Sequence, residues 1–205
     1  MKNTYLDLIQ QTFYFPQDGF EVKNNYLYFH GIPLKQLIEE YETPMRITYL
    51  PKISENIQRA KKYFNDAIRK LNYPGNYNYC YCTKSSHFAH VLVEALKNDI
   101  YLETSSAFDI DIIERLYLNK MLNKDTLIVC NGFKTKIYTQ RISKLANLDF
   151  NIMPVLDNME ELEAYENTII YDCDLGIRIA SEEQPEFQLY TSRLGIRYKE
   201  IKDFY

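Results

Sequence analysis

The chain has 205 residues, of which 46% are hydrophobic and 25% charged, with a net charge of −4. That is globular composition, which excludes disorder as the main state, and a pI near 5.5 provides no basic field for nucleic acid. No apolar run approaches the roughly 18 residues of a membrane span, and Met1-Lys2-Asn3-Thr4-Tyr5 lacks a signal peptide's apolar stretch. The expectation is a soluble, cytoplasmic protein with neither nucleic acid nor membrane as partner.

Residues 1–43 read as a lead-in. Short aromatic runs, Phe13 to Phe15 and Tyr26 to His30, are broken by Gly19 and Gly31. They predict a hairpin or short strands, followed by a helix over Leu34 to Tyr41. From residue 44 to 205 the pattern changes to a strand-then-helix rhythm. The predicted strands are Met45 to Leu50, Tyr77 to Thr83, Ile100 to Thr104, Thr126 to Cys130, Asn151 to Val155 and Asp174 to Ala180. Their starts lie 32, 23, 26, 25 and 23 residues apart, the spacing of βα units with parallel strands.

The helices between them fit. Pro51 suits a first helical turn. After it Ile53, Ile57, Ala60, Phe64, Ile68 and Leu71 form one apolar stripe at helical spacing. Ser85 or Ser86 can cap the next helix and Ser105-Ser106 the third. Asp157 and Glu160 are placed as a capping-box variant for the fifth. A further helix begins near Tyr198. The fold class is α/β. Six strands suffice for an open parallel sheet but not for a closed (β/α)8 barrel, so any barrel is expected to be incomplete, with an exposed sheet edge and poor stability alone.

Cys80 and Cys82 share one face of their strand. With His87 and His90 they spell Cys-x-Cys-x4-His-x2-His, which matches no common zinc pattern. Buried strand thiols are expected, and no metal.

Ligands of parallel α/β folds gather at the carboxyl ends of strands. There the sequence offers Lys84, Glu103, Asn131-Gly132 and Arg178. A partly desolvated lysine at such an end can condense with a carbonyl cofactor such as pyridoxal phosphate. The alternative is a solvated strand-end lysine.

Tyr81-Cys82-Thr83-Lys84-Ser85-Ser86 resembles the Tyr-Ala-x-Lys-x-Asn segment of the fold-type III pyridoxal-phosphate decarboxylases, the ornithine, diaminopimelate and arginine decarboxylase family. Further segments follow in order. Pro44 to Tyr49 resembles the family's Thr-Pro-x-x-Val-Tyr entry, and Leu102 to Ala107 its acid-x-x-Ser segment. Cys130 to Lys134 resembles an Asn-Gly-x-Lys segment of the arginine branch. Gly176 to Ile179 resembles the Leu-Arg-Ile strand, and Ser192 to Ile196 the Ser-Lys/Arg-Phe-Gly-Ile turn. The resemblance departs at Cys82, Thr83 and Ser86.

It implies the front portion of an alanine racemase-like barrel, bearing pyridoxal 5'-phosphate as an internal aldimine on Lys84. It also implies that Glu103 lies beside the cofactor and that Arg178 faces the imine side, with Arg193 a weaker cofactor contact. From the residues alone, Glu103 is equally a carboxylate at a helix start, Arg178 a structural ion-pair partner and Arg193 a surface turn residue. The implied reaction is α-decarboxylation of arginine or a similar basic amino acid, in polyamine biosynthesis, by a homodimer when full length. The family's Gly-Gly-Gly phosphate loop is not matched, for the six glycines stand alone at 19, 31, 75, 132, 176 and 195. A non-catalytic, decarboxylase-like binding or regulatory protein is the alternative.

Overall fold

Two antiparallel and four parallel strand pairings, with a helix between each pair of consecutive parallel strands, organise the backbone of this computed structural model, which describes residues 18–180 and 195–204. The chain divides into two units, residues 1–48 and 49–205. In the first, β1 (Phe20–Lys23) pairs with β2 (Tyr26–Phe29), and β2 with β3 (Ile32–Pro33), all antiparallel. The hairpin turns at Asn24 and Asn25, both at positive φ (50° and 62°). Two such residues make the turn whose twist matches paired strands, and asparagine tolerates it. Helix α1 (Leu34–Tyr41) follows Pro33 over the predicted span. The aromatic run at 13–15 lies outside the described residues.

The second unit opens with α2 (Pro51–Leu71), Pro51 standing in its first turn. Its predicted stripe is only partly covered. Ile57 is buried, but Phe64 and Leu71 are exposed, Phe64 stacking on Tyr77 at 4.1 Å. The helix is 21 residues long while the following strand, β4 (Cys80–Cys82), has three, so its second half overhangs the layer. The first half is tied down by Ser54 Oγ donating to Glu94, and by Gln58 and Lys61 donating to Asn98.

Then α3 (Ala89–Leu96), β5 (Tyr101–Thr104), α4 (Ala107–Leu118), β6 (Ile128–Cys130), α5 (Lys136–Ala146), β7 (Ile152–Leu156), α6 (Met159–Glu166) and β8 (Gly176–Ile177) alternate. The five strands β4-β5-β6-β7-β8 lie in sequence order and are all parallel. This is an unclosed portion of a (β/α) barrel. A 3-10 turn (Tyr198–Glu200) and α7 (Ile201–Phe204) end the described chain.

Three expectations need correction. Met45 to Leu50 joins neither sheet; it is extended chain without a ladder, so its β-type side chains do not make it a strand. No serine caps α3: Phe88 precedes it without a side-chain cap, and residues 83–88 form turn and coil. The cap of α6 is Asn158, one residue later than the predicted Asp157. Its Oδ1 accepts from Glu161 N at 3.0 Å, while Glu161 Oε2 accepts from Asp157 N at 2.9 Å. Ser106 caps α4 as expected, accepting from Asp109 N.

Side chains alternate across the sheet. Leu102, Thr104, Ile128, Cys130, Ile152, Pro154 and Leu156 are buried against the helices, where Leu92, Ile110, Ile113, Tyr138, Ile142 and Leu145 complete the core. On the opposite face Tyr101, Glu103, Val129, Met153 and Val155 are only half-buried.

Candidate functional site

All five strands of the parallel sheet point their carboxyl ends to one rim, and the residues there come in three groups. The first surrounds Lys84. Thr83 is fully buried, and both its N–H and its Oγ1 donate to Glu103 O, at 2.9 and 3.1 Å. Ser85 N and Oγ donate back to Cys82 O, and Tyr81 Oη donates to Ser86 O at 3.0 Å. These bonds fix a tight turn whose apex is Lys84, with its side chain exposed. Among the described residues no hydrogen bond or ion pair holds the amine. The expected partial desolvation is therefore not supplied by this chain's own packing. Thr83, a departure from the family pattern, is explained by the bonds that pin it to β5.

Cys82 stands in register with Glu103 on the half-buried face, and Cys80 with Tyr101. Cys80 is exposed and Cys82 half-buried, which corrects the expectation of buried thiols: among the described residues of this unit no layer covers their face of the sheet. Burial, with Glu103 nearby, still pushes both thiols above their ordinary value. Cys130 points the other way, into the core, and burial pushes it up to about 12.

The second group is Glu103 and Asn131. Asn131 Nδ2 donates to Glu103 Oε1 at 3.2 Å and Asn131 Oδ1 accepts from Gly132 N. The carboxylate at the helix start is instead Asp109, which accepts from Ser105 N and Ser106 Oγ, so Glu103 is left facing the rim. Gly132 has φ +78°, and a Cβ there would stand 2.9 Å from Ser105 O; the turn that delivers Asn131 beside Glu103 has room only for glycine.

The third group lies across β6, β7 and β8, and sequence reasoning found only one of its members. Lys134 is buried at the start of α5. Its Nζ donates to Val155 O and lies 3.4 Å from Glu161 Oε2, while its N–H donates to Glu161 Oε1. Asp157 directly follows β7 with its side chain 3% exposed, and among the described residues neither carboxylate oxygen has a hydrogen-bond partner. Arg178, following β8, brings Nε to 3.8 Å from Asp157 Oδ1. Desolvation pushes the Asp157 carboxyl up, and Glu161 adds to this, against the lowering effects of Lys134 and Arg178. Three buried ionisable side chains, Lys134, Asp157 and Glu161, thus meet the half-exposed Arg178 at this end of the rim. The signal that could have found it is the pair of overlapping capping patterns at residues 157–161, which leaves one acid without a capping role.

Of the predicted site residues, Glu103 adjoins the Lys84 turn through the Thr83 bonds, and Arg178 joins Asp157. Lys84 and Arg178 stand at opposite ends of the row, after β4 and β8. Arg193 lies outside the described residues. Beside it, Gly195 (φ +97°) packs so close that a Cβ would stand 2.9 Å from Arg178 O, and Ile196 N donates to that same oxygen at 2.7 Å. His87 is in the coil before α3, and His90, on α3, stacks on Phe88 at 5.5 Å. No His/Cys/Asp/Glu group suited to a metal occurs among the described residues.

No family model matches the chain. The biosynthetic arginine decarboxylase of Vibrio vulnificus is 24% identical over 173 residues, covering 78% of this chain and 27% of that protein. That of Gloeobacter violaceus is 28% identical over 123 residues, covering 58% and 18%. The solved biosynthetic arginine decarboxylase of Campylobacter jejuni superposes with a TM-score of 0.68 at 19% identity, over 99% of this chain and 34% of that one. The chain is similar to one portion of an arginine decarboxylase. The decarboxylase likeness extends to diaminopimelate decarboxylase from M. jannaschii, with a TM-score of 0.72 at 18% identity over 89% of this chain and 42% of that one. The decarboxylase-like chain spans about a quarter of the length of the curated relatives it matches.

Proposed function

We propose that this chain is the N-terminal portion of a pyridoxal-phosphate-dependent amino-acid decarboxylase, with arginine or a similar basic amino acid as substrate. Residues 1–43 would be the lead-in and 44–205 the front of the cofactor-binding barrel. The observation that carries the reading is the rim itself: Lys84, its amine unpaired among the described residues, stands at the apex of a fixed turn after β4, and the next strand, β5, brings to the same rim Glu103, a carboxylate that no helix start consumes. The names of the matched relatives supply the reaction class and favour arginine.

The residues present fit the aldehyde and ring end of pyridoxal phosphate. Lys84 offers the amine for covalent attachment, and its lack of a competing ion pair leaves it free to condense. Glu103, held by Asn131 just after the adjoining strand, supplies a carboxylate to the same rim. Arg178 can only donate hydrogen bonds, which suits it to an oxygen of the cofactor. The phosphate end is not matched, because the isolated glycines of this sequence make no cradle of successive amides. When bound, the cofactor supplies the electron sink for loss of CO2 from an α-amino acid. The chain's own part is to hold the amine, fix charge around it and keep the turn rigid. No described helix is long and apolar enough to cross a membrane. The reading extends to cytoplasmic polyamine formation by a homodimer of the intact enzyme.

The test is to treat the chain with one equivalent of pyridoxal phosphate, reduce with borohydride and map the adduct by mass spectrometry. The expected result is a pyridoxyl group on Lys84 ahead of the other exposed lysines, lost in Lys84→Ala. Label spread evenly over surface lysines such as Lys70 and Lys120 overturns the reading.

A further inference from the structure

The Asp157 carboxylate has no task in local structure. Asn158 caps α6, Glu161 closes the box by accepting from Asp157 N, and Lys134 is engaged by Val155 O and Glu161. Yet Asp157 is buried with both oxygens unpartnered. Leaving a carboxylate in that state is unfavourable, and nothing in the packing of β7 requires an acid there. The group in reach that lacks a hydrogen-bond acceptor of its own is the Arg178 guanidinium, half-exposed, with Nε 3.8 Å away. A guanidinium presents its N–H groups as a planar fork matched to two carboxylate oxygens. Arg178's backbone is already held, its N–H donating to Leu156 O and its carbonyl accepting from Ile196 N. Its side chain is the part still to be directed.

We infer that Asp157 is the positioning residue for Arg178, fixing the direction in which the guanidinium crosses the rim. This deepens the proposed function and rests on it for the claim that Arg178 meets the cofactor. The pairing itself belongs to the chain alone. The groups facing Asp157 are Lys134 from the start of α5, Glu161 from α6 and Arg178 from β8. Lys134 Nζ is already taken up by Val155 O and Glu161, which leaves the Arg178 guanidinium as the donor free to pair with Asp157. A carboxylate kept for structure alone loses stability when removed. One kept for positioning, against its own desolvation, does not.

The experiment uses the full chain without cofactor, labelled with 15N at arginine, comparing the parent with Asp157→Asn. The expected result is that Arg178 Nε–H exchanges with water about fivefold faster in the variant, the factor for a pair of ordinary strength, while the urea midpoint at pH 7 is no lower. Unchanged Arg178 exchange overturns the inference, whatever the midpoint does. Should Asp157→Asn fail to fold, Arg178→Met tests the same pair from the other side: the Asp157 carboxyl, followed by 13C shift, must titrate at higher pH than in the parent, and an unmoved titration overturns the inference. Because neither measurement uses pyridoxal phosphate, failure here and failure of the Lys84 labelling are separate results.

Discussion

The two faces of the parallel sheet are built from the same strands but have different surroundings. On the helix side, Leu102, Ile128, Ile152 and Leu156 are almost wholly buried, and the polar groups that enter are bonded: Thr104 Oγ1 lies 2.9 Å from Tyr138 Oη. On the other side Cys82, Glu103, Val129 and Met153 stand in register across four strands, half-exposed. The helix side specifies the fold and tolerates little change. The open side carries Cys80, Cys82 and Glu103 with few described neighbours to constrain them, and its rim carries Lys84 and Arg178. Stability should therefore be concentrated on one face and chemistry on the other.

The largest contrast is expected in thiol labelling. Cys80 is exposed on the open side, while Cys130 is fully buried on the helix side. Cys130 reacts only through unfolding, so at ordinary domain stability its rate should fall short of that of Cys80 by on the order of a thousandfold or more. Comparable rates, read by mass spectrometry over time, would show that the helix layer is loose and the comparison false.

Next comes Lys134, where the rim reaches into the interior. Its side chain has no exposure and Glu161 only 6%. Lys134→Met leaves Glu161 as an unpaired buried acid and takes one of its two facing cations from Asp157, and should cost about 3 kcal/mol or more, measured by urea unfolding. The corresponding loss from removing an exposed pair, Lys35 with Glu39, should be within about 1 kcal/mol. A small effect at Lys134 would mean that water enters the pocket.

Leu102→Ala and Val129→Ala compare the two faces at neighbouring strand positions. Leu102 is fully buried, and its truncation should cost about 3 kcal/mol. Val129, half-buried in register with Glu103, should cost about 1 kcal/mol, since it loses fewer contacts and leaves no closed cavity. Equal losses would place a covering layer over the open side.

The parallel sheet was legible because each βα unit repeats a local signal: a β-rich run, a cap, an apolar stripe. That Lys84, Glu103 and Arg178 come to one rim was also legible, because parallel strands bring their carboxyl ends to the same side. Less legible was what depends on one residue of register or on distant packing. Asp157-x-x-Glu160 and Asn158-x-x-Glu161 are equally good caps on paper, and only the start of α6 decides that Asp157 is left over. Met45 to Leu50 has strand composition, but a strand also needs a neighbour to bond. Cys80 and Cys82 look like core residues until the face they occupy proves to be uncovered.

The smallest effect, and the one most specific to the rim, is the pH dependence contributed by Asp157. Desolvation is the first cause of its raised carboxyl value, ahead of the opposing influence of Lys134 and Arg178. A carboxyl raised on folding binds its proton more tightly in the native state than in the unfolded chain. Its contribution to stability is therefore fully present below the unfolded value, about 4, and is lost as pH rises through the folded value. Asp157→Asn removes this loss. Plotted against pH, the stability difference between variant and parent should be flat in acid below about 4 and move in favour of the variant as pH rises above it, levelling once the native carboxyl is ionised. The opposite slope, with the parent gaining over the variant as pH rises, would mean that Lys134 and Arg178 together outweigh desolvation. The rim would then be as structural as the helix side, and the distinction between the two faces would not reach the charged pocket.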